Sequence, residues 1–323
     1  MMSLNSLLYV LGALVLLPFL LALFSRRTAR RIEALLPPAG SLVEVEGVRL
    51  HVRDEGRGPA LLMIHGLGGQ MAHFNYGAVR ALSRRYRVVT VDRPGSGYST
   101  RPAGAPADLS TQARAIAALI GRLGLERPTV VGHSLGGATA LTLALEHPAQ
   151  VGALALVAPL THAPEAVPPA FRALTIETPW LRRLFAATLA VPLSILAGKR
   201  VLQEVFGPEA APRDFPTRGG GLLSLRPGQF LASCADLQAL AGHMPCLERR
   251  YAELDTRKLP VHVLFGREDR ILDWRANGQA LAGKIPGARL ELVEGGHMLP
   301  VTQPERTARF IEEVAAARLK LAS

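Results

Sequence analysis

The chain has 323 residues, 49% of them apolar and 20% charged, a balance that excludes an intrinsically disordered chain and allows one large domain or two small ones. Its formal net charge of +11 calls for an anionic partner. No nucleic-acid motif accompanies that charge, and the arginines outside one N-terminal cluster are scattered, so an anionic membrane surface is expected and nucleic acid is not. The two cysteines, Cys234 and Cys246, form neither a disulfide framework nor a metal-ligand spacing. They read as unpaired thiols, although a single disulfide between them stays open, and neither a metal nor a cofactor is expected. Oligomeric state is not specified.

From Met1 to Ser25 no side chain is charged, and Leu7 to Phe24 is almost wholly apolar. As a helix, such a run spans about 27 Å, near the hydrocarbon thickness of a bilayer. A cleaved signal peptide would carry its basic residues before the apolar run. Here Arg26, Arg27, Arg30 and Arg31 follow it, and no small-residue cleavage site is present. Residues 1–25 are therefore expected to be a single-pass transmembrane anchor of the bacterial inner-membrane type, and residues 26–40 a basic juxtamembrane segment ended by Pro37 and Pro38. The positive-inside rule places the remainder of the chain on the cytoplasmic side.

Leu42–Val45 and Val48–Val52 alternate around Glu46-Gly47, a hairpin signal. Ala60–Ile64, Tyr86–Val91, Thr129–Val131, Val151–Val157, Val261–Phe265 and Arg289–Val293 read as short buried strands, and Leu109–Leu123, Leu135–Glu146 and Gln303–Leu319 as helices, with a further helical stretch between the last two strands. Strands alternating with helices predict an α/β fold with a mostly parallel sheet covered on both faces. The expected organisation is a core of residues 41–160 and 259–323, interrupted by a helical cap or lid over residues 161–258.

Gly132-His133-Ser134-Leu135-Gly136 lies between an apolar strand and an alanine-rich helix. A serine on such a strand-to-helix turn is lifted above the sheet as a nucleophile, and it needs a base. Among the nine histidines, His297 in Glu-Gly-Gly-His-Met after the last strand is the best placed. Asp269, after the strand Val261–Phe265, is the carboxylate expected to orient it, with Asp273 as competitor. Backbone N–H groups of Leu135 and of Leu67, in His65-Gly66-Leu67-Gly68-Gly69, are expected to face the oxyanion. His133, Phe171, Trp180, Leu184, Phe185 and Met298 are candidates to line the substrate site, the insertion's apolar residues serving either an acyl chain or the cap's own core.

These pieces, with Asp92-Arg93-Pro94-Gly95-Ser96-Gly97-Tyr98-Ser99 and Gly266-Arg267-Glu268-Asp269-Arg270, run in order over Leu42–Leu319 and resemble the α/β-hydrolase superfamily. Serine at position 134 separates the chain from the dehalogenases and epoxide hydrolases, whose nucleophile is aspartate. Gly-Arg-Glu-Asp-Arg-Ile-Leu-Asp together with the N-terminal apolar run looks like membrane-anchored monoacylglycerol lipases and related phospholipases. The core motifs are also similar to those of carbon–carbon bond hydrolases. The resemblance implies a serine carboxylic-ester hydrolase acting on acylglycerol, lysophospholipid or phospholipid esters. Carbon–carbon or amide hydrolysis by the same triad, and a catalytically inactive, membrane-tethered binding protein, are the alternatives.

Overall fold

A computed structural model describes residues 4–102 and 104–322, apart from the side chains of residues 4–11, 13 and 322. Eight strands form one sheet: β1 (Ser41–Val45), β2 (Val48–Glu55), β3 (Ala60–Ile64), β4 (Arg87–Val91), β5 (Thr129–His133), β6 (Ala153–Val157), β7 (Val261–Gly266) and β8 (Arg289–Val293), in the order β1-β2-β4-β3-β5-β6-β7-β8. The expected hairpin is β1–β2, and β2 pairs antiparallel with β4; the other pairs are parallel. Seven helices matter below: α1 (Leu4–Leu35), α2 (Leu109–Arg122), α3 (Leu135–Glu146), α4 (Pro179–Thr188), α5 (Ala190–Phe206), α6 (Pro227–Arg250) and α7 (Pro304–Ala322).

The central strands β3, β5 and β6 are buried at every position, and mostly apolar, because both faces are covered. Leu62, Ile64, Val130, Leu154 and Leu156 enter one cluster with residues of α2 and α3. Their alternates Leu61, Met63, Val131, Ala153 and Ala155 enter the other, with the short helix Ala78–Leu82 and with α7. Parallel strands bring their carboxyl ends to one edge, and the loops leaving β3, β5, β7 and β8 there carry His65, Ser134, Asp269 and His297.

One expectation is met in an irregular form and another needs correction. The helical stretch between β7 and β8 is short and irregular: a π-turn over Arg275–Gln279 runs into Ala280–Lys284. Gly278 lies in that turn, and a Cβ there would sit 2.9 Å from the Phe265 ring, so the backbone hugs the sheet more closely than a regular amphipathic helix would. The N-terminal boundary at residue 25 is not a break either, since α1 runs unbroken through Pro18 and through the arginine cluster. Its C-terminal half docks on the protein. Ser25 is buried and donates from Oγ to the Thr188 carbonyl at 3.2 Å, Ile32 is buried, and the Tyr98 hydroxyl donates to the Leu36 carbonyl. The expected span falls partly on residues outside the described set. Among the described residues no single helix is long and apolar enough to cross a membrane. Leu16, Leu17, Phe19 and Leu20 of α1 are nevertheless exposed.

Between β6 and β7 the chain forms α4, α5 and α6 around a small core of Ala186, Ala190, Phe230 and Cys234. Both cysteines are free, and burial pushes the Cys234 thiol up to about 11.

Candidate active site

Ser134 stands between β5 and α3 with φ 54° and ψ −122°, a backbone conformation that non-glycine residues rarely adopt. The turn is locked from several sides. The Ser134 N–H donates to the Val157 carbonyl at 3.2 Å, and its own carbonyl accepts from Gly137 at 2.8 Å and Leu160 at 2.9 Å. The flanking glycines have a steric reason. A Cβ at Gly136 would lie 2.1 Å from the Ile64 carbonyl oxygen, and one at Gly132 would lie 2.5 Å from the Gly136 carbonyl oxygen. Gly66 passes equally close to the serine, since a Cβ there would meet the Ser134 Cβ at 2.8 Å and its Oγ at 3.3 Å.

Asp269 and His297 are paired as the sequence predicts. His297 Nδ1 donates to Asp269 Oδ2 at 2.7 Å, both side chains are buried, and the other carboxylate oxygen accepts from the backbone of Ile271 at 2.8 Å and Leu272 at 2.9 Å. Four lone-pair sites are thus largely filled, which fixes the carboxylate and leaves Nε2 of the imidazole as the free nitrogen. The competitor Asp273 faces solvent and instead accepts from the backbone of Arg275 and Ala276, each at 2.8 Å. Among the described residues neither Ser134 Oγ nor His297 Nε2 has a hydrogen-bond partner, a common state of such pairs without substrate.

His133 belongs under this pair and not in a substrate wall. It is 2% exposed, its ring centroid lies 4.9 Å from that of His297, and its Nε2 donates to the His297 carbonyl at 3.0 Å. Burial, reinforced by His297, pushes its pKa well below the usual histidine value. The other candidate wall residues also separate. Met298 is buried among Phe206, Phe215 and Val301, Phe185 packs against the Phe230 ring at 5.4 Å in the insertion's core, and Phe171 leans on the main core. Trp180 is 67% and Leu184 48% exposed, so both look outward from α4.

The loop holding Leu67 rests on its own His65 and Gly69, on Arg93 and, through Arg93, on Asp236. The Gly66 carbonyl, in the same peptide unit as the Leu67 N–H, accepts from three donors: His65 Nδ1 at 2.8 Å, Arg93 Nη2 at 3.0 Å and the Gly69 N–H at 3.2 Å. The Arg93 N–H donates to His65 Nε2 at 2.9 Å, which fixes the proton of that neutral imidazole on Nδ1. Burial, then the Arg93 charge, holds the His65 pKa well below the usual value. The fully buried Arg93 also donates to the His65 carbonyl at 3.0 Å, to Gln112 at 2.7 Å and to Asp236 of α6 at 2.8 Å. Asp236 receives Arg101 as well, at 2.6 Å. Arg93 sits inside a motif the sequence displays, but Asp236 lies 143 residues away in an insertion with no motif at all.

The pattern of the alpha/beta hydrolase fold family matches residues 59–304. The chain belongs to the α/β-hydrolase family, and its enzyme class is hydrolase. One relative of this hydrolase is the 2-hydroxymuconate semialdehyde hydrolase of Pseudomonas putida, 31% identical over 294 residues covering 87% of this chain and 95% of that one. Another is an uncharacterized protein of Mycobacterium tuberculosis, 32% identical over 298 residues covering 90% and 84%. Among solved structures, a membrane phospholipase A described as a bacterial virulence factor aligns with a TM-score of 0.68 at 26% identity, covering 97% of this chain and 96% of that one. The last match takes in the N-terminal helix as well as the hydrolase core.

Proposed function

We propose that this hydrolase is a serine carboxylic-ester hydrolase acting on lipid esters at a membrane, through an acyl-enzyme on Ser134. The observation that carries the reading is the strained turn that presents Ser134 at the same carboxyl edge of the sheet as an imidazole whose tautomer is fixed by a buried carboxylate at 2.7 Å. Ser134 Oγ attacks the ester carbonyl carbon while His297 Nε2 takes its proton. Negative charge gathers on the carbonyl oxygen, facing the N–H groups of Leu67 and Leu135. The intermediate collapses, the C–O bond to the alcohol breaks, and His297 returns the proton to the departing alkoxide. Water, deprotonated by His297, then attacks the acyl carbon and releases the carboxylic acid and the free serine.

Lipid as substrate is supported by the similarity to a membrane phospholipase A over nearly the whole chain. Apolar side chains left exposed on α1 and on α4 and α5, among them Phe19, Trp180 and Leu196, add to it. The two insertion helices, bent by 73°, are together long and apolar enough to enter a bilayer. The N-terminal helix then tethers the enzyme, with its arginines toward anionic headgroups on the cytoplasmic side. A second reading, carbon–carbon bond hydrolysis with the same triad, is favoured by the relative acting on 2-hydroxymuconate semialdehyde.

Ester, dienone-acid and amide panels, run with wild type and Ser134→Ala, test both. Glyceride and phospholipid esters should be cleaved fastest, a fluorophosphonate should label the wild type, and Ser134→Ala should lose about 10⁴-fold or more in kcat. Activity persisting in the variant removes Ser134 as nucleophile. A faster rate on dienone acids transfers the assignment to carbon–carbon hydrolysis, and an unlabelled wild type leaves a binding protein. A periplasm-dependent reporter fused at the C-terminus should stay silent.

A further inference from the structure

A cavity of about 610 Å³ opens between α1, the loop after β4 and the first turn of α6, and none of Ser134, Asp269 and His297 lines it. It is ringed by four cations, Arg26, Arg30, Arg101 and Arg226, against one carboxylate, Glu33. Arg101 is engaged by Asp236, and Arg226 reaches Glu33 at 3.4 Å while stacking 4.7 Å over the Tyr98 ring. Arg26 and Arg30 are exposed, and among the described residues neither has an ion-pair partner.

Two further features at this cavity call for an anion. Gln229 lines it and is 5% exposed; its Oε1 accepts from the Gly97 N–H at 2.9 Å, while its Nε2 is a buried donor with no partner. Leaving such a donor unmatched is costly, and an oxygen-rich ligand would satisfy it. The N-terminus of α6, a helix of 24 residues, also lines the cavity at Pro227, Gly228 and Gln229, and no side chain caps it. Its first N–H groups and its dipole suit a phosphate.

We propose that this cavity is a phosphate-binding site separate from the ester-cleaving centre, and that its ligand is the headgroup of an anionic glycerophospholipid. Arg26 and Arg30 close over the phosphate, Gln229 Nε2 and the α6 N-terminus hold it from below, and Glu33 disfavours ligands that carry further negative charge. A lipid fits better than a free phosphate because the wall of the cavity is α1 itself. Phe19 of that helix is exposed on the same face as Arg26, about 10 Å along the axis, giving an acyl chain an apolar track beside its headgroup. The proposal rests on the functional reading that the arginines of α1 meet anionic headgroups, and its test needs no turnover, so it can fail while ester cleavage at Ser134 stands.

The test uses the full-length Ser134→Ala protein in dodecyl maltoside, so that no lipid is consumed. Phosphorus NMR follows line broadening of phosphatidic acid in mixed micelles, of phosphatidylcholine in the same micelles, and of inorganic phosphate. Phosphatidic acid should bind, phosphatidylcholine much less, and inorganic phosphate should compete. Arg30→Glu and Gln229→Leu should each weaken phosphatidic acid binding about tenfold, the loss expected for one charge-assisted hydrogen bond. Fluorophosphonate labelling of the Arg30→Glu protein with Ser134 intact verifies its fold. Binding of inorganic phosphate without the lipid upholds the site and overturns its lipid occupant. No binding in any arm, or binding unchanged in both variants, overturns the site itself.

Discussion

At the level of single residues, the most consequential contact is one behind the reacting atoms. Three donors converge on the Gly66 carbonyl, one of them a guanidinium with no exposure to solvent. They hold the peptide plane and draw electron density from its nitrogen, so the Leu67 N–H is both aimed and made a stronger donor. In the proposed mechanism Arg93 is in this sense a positioning residue. Arg93→Lys keeps the charge but not the planar fork, and Arg93→Met loses both. We expect kcat to fall about tenfold in Arg93→Lys and further in Arg93→Met, with KM little changed, because an interaction strengthened only as the oxyanion forms acts on kcat. Steady-state kinetics on a soluble ester measures the split. Equal kcat in wild type and both variants would show that Arg93 serves packing alone.

At the level of elements, α6 is joined to the core by a charge cluster rather than by apolar packing alone. Asp236 projects from α6 and is shared by Arg93 and Arg101, both on the loop after β4, with all three side chains largely buried. Removing the shared carboxylate strands two cations, so Asp236→Ala should cost about 3–5 kcal/mol in a denaturant melt, whereas a solvent-facing pair such as Arg257 with Asp255 should cost almost nothing. A midpoint unchanged in Asp236→Ala would refute the coupling. This cluster also marks where sequence reading stops. The strands and helices of the core are legible because each carries its own period. Ser134, Asp269 and His297 stand out because glycine-rich turns at strand ends enclose them. Asp236, Gln229 and Glu209, which accepts from the Gly296 N–H at 3.0 Å, sit in an insertion whose helices carry no distinctive pattern. Their partners are chosen by packing over more than eighty residues of chain, as the 87-residue separation of Glu209 and Gly296 shows. The outward orientation of Trp180 and Leu184 was hidden for a related reason: α1 and α4 pack against each other, and two apolar helices in contact do not reveal from their sequences which faces stay free.

For the molecule as a whole, a set of uncharged histidines beneath the catalytic edge sets the response to acid. Burial lowers His73 from 6.5 to about 4, and lowers His65 and His133 well below 6.5. The unfolded chain binds these protons at a higher pH than the folded chain does. The stability they contribute is therefore complete above pH 6.5 and drains away as the pH falls toward 4, at up to about 1.4 kcal/mol per pH unit for each. Calorimetry from pH 8 to pH 4 should show a falling Tm that His73→Gln flattens; a Tm independent of pH would contradict the neutral burial of these rings. The docking of α1 carries a different lesson. Its serine grips the end of α4, its glutamate meets Arg226, and the residue just past its end receives the Tyr98 hydroxyl. Trimming the gene at residue 40 to obtain a more tractable protein would therefore strip a supporting strut from the insertion and bare a wall of the arginine-ringed cavity. The shortened product would be a different machine, and rates measured on it would describe that machine.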